Sequence, residues 1–340
     1  MNKRRVIIVG LFQDADKAPV TQASELFTLL KNNGYPVLAV SKYKNKWLRL
    51  IDIIYTLLFY SSRYEIAVVQ FYSGNSFKWQ SIAAQLVKLL NKKLIFTVHG
   101  GGVPEAIKNN PDKYLSLLKC ADRITVPSGY IAEALAEYGI KSTFIENSIS
   151  LDRYPFLKKT KTTYTLLWMR AFSEIYNPLM AVRVVAELKK KYSDIKMYMG
   201  GPELGMLQQT NRLVQELGLQ NNIEIIGFMN LETKIKYAQL ASVYISTNKI
   251  DNAPVTFLEM WVMGVPVVSA NVGGVSFLVN DGEDGLLVKP DDYMSMAEKV
   301  SVLLEDAMLA NRLIEAGRRK VKNYDEQPVY QKWDSLFSTL

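Results

Sequence analysis

The 340-residue sequence predicts an α/β protein made of two doubly wound parallel-sheet domains in tandem, facing each other across a cleft. Three observations predict it. Short, near-continuous apolar runs alternate with longer segments of helical period, as parallel strands buried on both faces require. The series runs through once, breaks at a polar stretch and then starts again. The length suits two domains of roughly 100–200 residues, each able to bury its own core.

Taken in order, the first series has strands over 5–9, 36–40, 66–71, 94–98, 123–126 and 143–145, with helical patterns over 22–32, 47–60, 77–90 and 130–138. These make a first domain, 1–150. Residues 151–163 are polar and irregular, ending in Lys158-Lys159-Thr160-Lys161-Thr162-Thr163, and read as a linker with nothing to pack. The second domain, 164–325, has strands over 164–169, 195–199, 223–226, 243–246, 265–269 and 286–288. After Pro328, Tyr330, Trp333, Leu336 and Phe337 fall at helical spacing, so 326–340 is an amphipathic helix expected to dock back toward the first domain. Ligands of such sheets bind beyond the carboxyl ends of the strands, which puts the expected site in the cleft.

Composition removes several classes of function. With 49% hydrophobic and 22% charged residues the chain is neither disordered nor fibrous. A single cysteine, Cys120, excludes an internal disulfide framework, and a single histidine, His99, excludes two-histidine zinc motifs. The longest apolar run, 50–60, has 11 residues, contains Asp52 and is too short to span a bilayer. The opening MNKRRVIIVG passes straight into a strand, so no signal peptide is expected and the protein is expected in the cytoplasm. No GxGxxG follows the first strand of either domain, which argues against a dehydrogenase. Residues 1–150 hold 19 Lys and Arg against 11 Asp and Glu, whereas residues 151–340 hold 22 of each. The first half is therefore expected to meet something anionic. No nucleic-acid-binding motif accompanies that charge, so nucleic acid is not an expected partner.

The segment from Asp251 to Gly274 carries the densest information. A helix is expected with Asn252 or Ala253 near its cap and Pro254 in its first position, ending at Met263 before Gly264. Its start, Pro254-Val255-Thr256, would present free backbone N–H groups to a phosphate. Glu259, one to two turns in, could accept both hydroxyls of a ribose. The plainer alternative is a capped helix with two exposed acids. Two other strand ends stand out: Met169-Arg170, where the guanidinium suits a phosphate, and Thr97-Val98-His99-Gly100-Gly101-Gly102, where glycines let a substrate approach the backbone.

Together these segments resemble the retaining glycosyltransferases of the GT-B fold, specifically glycosyltransferase family 4. That family carries Glu, seven residues, a second Glu and then a helix reading like EAMACGxPVVxxxxGG. Here Asp251, seven residues and Glu259 precede MWVMGVPVVSANVGG. Residues 282–288 resemble its dG.xGlLv segment, and Arg318-Arg319 its late arginine. Its GRxxxxKG, which holds the donor diphosphate, corresponds to the stretch from Met169-Arg170 to Tyr176-Asn177. The lysine of that pattern is replaced, so a substitute cation must come from elsewhere. Asp251 stands where the family has Glu, which bears on sugar preference. Gly200 and Gly201 match a turn on the nucleotide side. The first strand–helix loop has only Gly10, and the family's Glu after the last glycine pair is missing.

The resemblance implies two Rossmann-like domains and metal-independent, retaining transfer from a nucleotide-diphosphate sugar, UDP or GDP, with no other cofactor. Arg170 and Pro254–Thr256 would hold the diphosphate, Glu259 the ribose, Asp251 the sugar, and His99 would approach from the first domain. Gly100, Gly101 and Gly102 would lie on the acceptor side. The implied acceptor is an oligosaccharide or a lipid-linked glycan, as in cell-surface polysaccharide synthesis. Lys42, Lys44, Lys46, Trp47 and Arg49 lead into an apolar aromatic helix suited to an anionic membrane surface, here the inner face. An ordinary core-facing helix is the alternative. A nucleotide-sugar epimerase is disfavoured by the lone histidine. A nucleotide-sugar-binding module with impaired catalysis remains the second reading. Asp14-Ala15-Asp16 resembles a metal-binding DxD but follows the first strand, so it reads as loop.

Overall fold

The computed structural model describes residues 3–13, 20–157 and 163–340, and the chain divides into two units. The first contains Met1–Ser148 and Tyr324–Leu340, the second Ile149–Asn323. Asp14 and Asp16, and the linker residues 158–162, lie outside the described residues.

In the first unit, β1 (Val6–Val9), α1 (Gln22–Asn32), β2 (Val37–Val40), α2 (Lys46–Phe59), β3 (Ile66–Phe71) and α3 (Phe77–Leu89) come first. They are followed by β4 (Lys93–Val98), α4 (Val103–Asn109), α5 (Pro111–Lys119), β5 (Arg123–Val126), α6 (Gly129–Ala136) and β6 (Thr143–Phe144). The strands form one parallel sheet in the order β2-β1-β3-β4-β5-β6. The continuous apolar strands have a direct explanation. Val9, Val69, Phe71 and Phe96 face a core shared with α2 to α6, while the alternating Val6, Ile8, Ile66, Val68 and Ile95 face a second core on the opposite side.

The second unit has β7 (Thr165–Met169), α7 (Pro178–Lys189), β8 (Lys196–Gly200), α8 (Leu207–Glu216), β9 (Ile223–Gly227), α9 (Leu231–Leu240) and β10 (Val243–Ser246). Then come α10 (Val255–Met263), β11 (Val267–Ala270), α11 (Val275–Leu278), β12 (Leu286–Val288), α12 (Tyr293–Glu305) and α13 (Ala307–Val321). Its sheet is parallel with the order β12-β11-β10-β7-β8-β9. The last helix, α14 (Glu326–Ser338), returns to the first unit. Its Val329, Trp333, Leu336 and Phe337 lie in the same core as Val6, Ile8 and Leu29.

Local chemistry sets the boundaries. Asn45 Oδ1 accepts from the N–H groups of Trp47 and Leu48, so α2 starts at Lys46, one residue before the periodicity suggests. Pro254 is the cap of α10, not its first turn, and Asn252 and Ala253 stay in the loop. The expected linker needs a larger correction. Residues 151–157 belong to the second unit: Tyr154 hydrogen-bonds Glu259, and Leu157 N–H donates to Met263 O. A polar stretch with spaced aromatics reads as linker because local sequence does not encode the helix it lies against.

Candidate active site

In the second unit the order of strands reverses at β7. Its neighbours are β10 on one side and β8 on the other. A doubly wound sheet opens a crevice beyond the carboxyl ends of its strands at such a switch point. Arg170 follows β7 directly, and the loop 247–254 follows β10, so two distant motifs are brought face to face by strand pairing. Arg170 Nη2 donates to Asp251 Oδ2 at 2.7 Å, with both side chains largely buried. Asn248 Nδ2 donates to the same oxygen at 2.5 Å, and Asn252 N–H donates to Oδ1 at 2.8 Å. Burial is the largest single effect on Arg170 and opposes its charge, but Asp251, Tyr244, Tyr176 and Glu259 together outweigh it and drive the guanidinium pKa up. Arg170 Nε is buried and has no hydrogen-bond partner among the described residues.

Two glycines permit this arrangement. A Cβ on Gly201, at φ +153°, would sit 1.9 Å from Arg170 O, and one on Gly274 would sit 2.0 Å from Asn252 O. Gly201 therefore lets the end of β8 lie against the Arg170 backbone, and Gly274 lets the turn after β11 close on the Asp251 loop. The neighbouring Gly200 packs against Met229. The main chain of Pro254-Val255-Thr256 opens α10 beside this loop, and Tyr244 OH approaches Thr256 Oγ1 at 3.3 Å.

Glu259 is buried, with 3% of its surface exposed, which contradicts an exposed acid on a capped helix. Its Oε1 accepts from Tyr154 OH at 3.0 Å and from Lys234 Nζ at 2.6 Å. Its Oε2 is buried without a hydrogen-bond partner among the described residues. The expected contact with both hydroxyls of a ribose would thus fall to the one free oxygen. At the replaced lysine position, Asn177 is committed to structure: its Oδ1 caps α7 at Met180 N–H and its Nδ2 donates to Asp291. Tyr176 lies beside Arg170, the guanidinium 5.6 Å from its ring centroid.

In the first unit, His99 follows β4. Its ring stacks near Tyr72 at 6.1 Å and hydrogen-bonds Asn147. Burial pushes the imidazole down to about 4 against the opposing effect of Asn147, so it is neutral at pH 7. Gly100 lies beside Tyr72, and Gly102 caps α4. Gln70, Thr97 and Thr125 pair in register across β3, β4 and β5, all buried and without side-chain partners among the described residues. On α2, Trp47, Ile51, Tyr55, Leu58 and Phe59 are exposed on one face, opposite buried Ile53 and Leu57. Lys42, Lys44 and Lys46 are exposed as well. Arg49 differs: its Nε and Nη2 donate to the carbonyls of Tyr43 and Lys44, so it fastens the loop.

The model of the family "Glycosyl transferases group 1" matches residues 153–320, and that of "Glycosyltransferase Family 4" matches residues 13–153. The chain belongs to the group 1 glycosyl transferases.

Among relatives, a 2-deoxystreptamine N-acetyl-D-glucosaminyltransferase of Niallia circulans is 23% identical over 269 residues, 77% of this chain and 65% of that protein. The chain spans less than two thirds of the length of such curated relatives, and of another only 15%. A sucrose-phosphate synthase from Thermosynechococcus elongatus shares the fold with a TM-score of 0.84 at 16% identity, over 99% of each chain. Anabaena Alr3699/HepE, solved in complex with UDP and glucose, gives 0.78 at 15% identity, covering 99% of this chain and all of that one. These neighbours share the GT-B fold.

In this group 1 glycosyl transferase, the structure brings Arg170, Asp251, Glu259, Gly201 and the start of α10 together in one unit and leaves His99 and its glycines in the other. Sequence reasoning missed Lys234, Tyr154 and Asn248. Only Asn248 carried a signal, a polar side chain two residues after a buried strand. Among the described residues, no group of three His, Cys, Asp or Glu side chains could hold a metal ion.

Proposed function

We propose that this protein is a retaining glycosyltransferase that moves a sugar from a nucleotide-diphosphate donor, UDP or GDP, to a hydroxyl acceptor. The observation that carries the reading is the pair of buried, unpartnered polar atoms, Arg170 Nε and Glu259 Oε2, beside the switch point of one sheet. A free guanidinium donor suits a phosphate oxygen, and a free carboxylate oxygen suits a ribose hydroxyl. The UDP in the Anabaena neighbour and the sugar-transferring relatives support the same donor class.

In the reaction, the bond from the anomeric carbon to the leaving phosphate oxygen breaks and keeps its electron pair on that oxygen. The acceptor oxygen bonds the same carbon from the same face, and its proton passes to the departing phosphate. Arg170 and the N–H groups opening α10 stabilise the developing charge, so the proposed transfer needs no metal. Asp251 positions Arg170 through Oδ2 and retains a lone pair on Oδ1 for a sugar hydroxyl. Neutral His99 can donate or accept one hydrogen bond to the sugar, and Gly100 to Gly102 leave its strand end open to an acceptor.

The acceptor we propose is an oligosaccharide or a lipid-linked glycan of cell-surface polysaccharide synthesis, met at the cytoplasmic face of an anionic membrane. The basic approach to α2 and its exposed aromatic face support it. Among the described residues no helix is long and apolar enough to cross a membrane.

Calorimetric titration with UDP, GDP, ADP and CMP in EDTA tests the donor site. One tight nucleotide is expected, with Arg170→Ala and Glu259→Ala each weakening it about tenfold or more. Unchanged affinity in both variants would remove the site. The commitment of Asn177 to capping favours a second reading, a nucleotide-sugar-binding module with impaired catalysis. Binding without product from a labelled donor would select it.

A further inference from the structure

We propose that Lys234, on α9, is the second cation of the donor site and contacts the nucleotide's diphosphate; the inference rests on the donor-site reading above. The position after β7 where a second cation would stand holds Tyr176 and Asn177, and Asn177 is bound to α7 and Asp291. Arg170 and Asp251 cancel one another's charge, so Glu259 alone would leave the cluster at −1 and repel a diphosphate. Lys234 brings it to zero. Its Nζ lies 2.6 Å from Glu259 Oε1, and its side chain is 27% exposed, buried enough to feel the site and open enough to meet a ligand. An ammonium has three donors, of which one is spent on Oε1.

Of two other lysines of this unit, Lys249 stands at the surface, 3.6 Å from exposed Glu174, and Lys320 is held by buried Asp284. Tyr154 donates to the same oxygen of Glu259, so the two donors together turn Oε2 free. Tyr154 can keep that orientation without Lys234, and the role assigned to Lys234 is therefore one of charge.

The test is calorimetry with a nucleoside, its monophosphate and its diphosphate, uridine, UMP and UDP first, or the equivalent series of whichever base the wild type prefers. Lys234→Met should weaken the diphosphate about tenfold more than the nucleoside, and Lys234→Arg should restore most of that difference. Because Lys234→Met leaves a buried carboxylate unpaired, Lys234→Met in a Glu259→Gln background is compared with Glu259→Gln alone. Neither member of that pair leaves a buried carboxylate unpaired, and the comparison should show the same growth with phosphate number. A penalty equal for nucleoside and diphosphate, or none, overturns the proposal and leaves Lys234 as a support for Glu259. Failure of the wild type to bind any nucleoside diphosphate is a distinct result, which removes the donor site itself.

Discussion

Glu259 has two donors on one carboxylate oxygen and, among the described residues, none on the other, an asymmetry in a buried acid that suits an incoming hydroxyl donor. The residues of this site were unequally legible. Arg170, Asp251 and Glu259 can be found from one-dimensional spacing, because strand ends and helix starts hold functional groups at fixed offsets. Lys234 and Tyr154 lie 25 and 105 residues from Glu259, and no spacing rule links a mid-helix lysine to another helix's carboxylate. His99 carries a prediction of its own. Its imidazole is held near 4 by burial, whereas an unfolded histidine titrates near 6.5. Between those values the unfolded chain binds a proton that the native state refuses. The stability owed to neutral His99 is thus complete above about pH 6.5 and falls toward pH 4, by about 1.4 kcal/mol per pH unit at most. Urea unfolding at pH 7 and pH 4.5 should show a smaller loss for His99→Gln than for the wild type. Identical losses would mean that the ring is protonated in the fold.

At the scale of elements, α10 and α2 show how much context adds to a recognisable helix. The start of α10 is displaced by one residue because Asp251 takes the Asn252 N–H into its own loop, leaving Pro254 as the cap. The α2 pattern is ambiguous in sequence, since apolar residues occur on nearly all sides. The structure resolves it: two residues, Ile53 and Leu57, are buried, and an aromatic stripe faces outward. Trp47, at 75% exposure, and Phe59, at 66%, are costly to leave in water unless another surface covers them. We expect the protein to co-sediment with vesicles containing anionic lipid and to be released by Trp47→Ser with Phe59→Ser, or by Lys42, Lys44 and Lys46 changed together to Glu. Arg49→Gln should weaken binding much less, because that guanidinium holds the loop. Equal sedimentation of all variants would assign the stripe elsewhere.

For the whole molecule, the telling feature is that the first unit is discontinuous: its core is completed by the last helix. Val329, Trp333, Leu336 and Phe337 are each buried, at roughly 1.5–3 kcal/mol apiece, or about 6–12 kcal/mol in total. That approaches the whole stability of an ordinary domain, about 5–15 kcal/mol. Truncation after Tyr324 should therefore cost the first unit its cooperative thermal transition while the second keeps its own. Two unchanged transitions in calorimetry would refute the role given to α14.

The alternation of apolar runs with helical periods, the restart after residue 150 and the Asp251–Glu259 spacing were determined by sequence alone, because periodicity and strand-end motifs are local properties of the chain. Strand order was not. It is decided by pairing between segments far apart, and only that pairing puts Arg170 beside Asp251, closes Lys234 and Tyr154 onto Glu259, and returns the C-terminal helix to the sheet where the chain began.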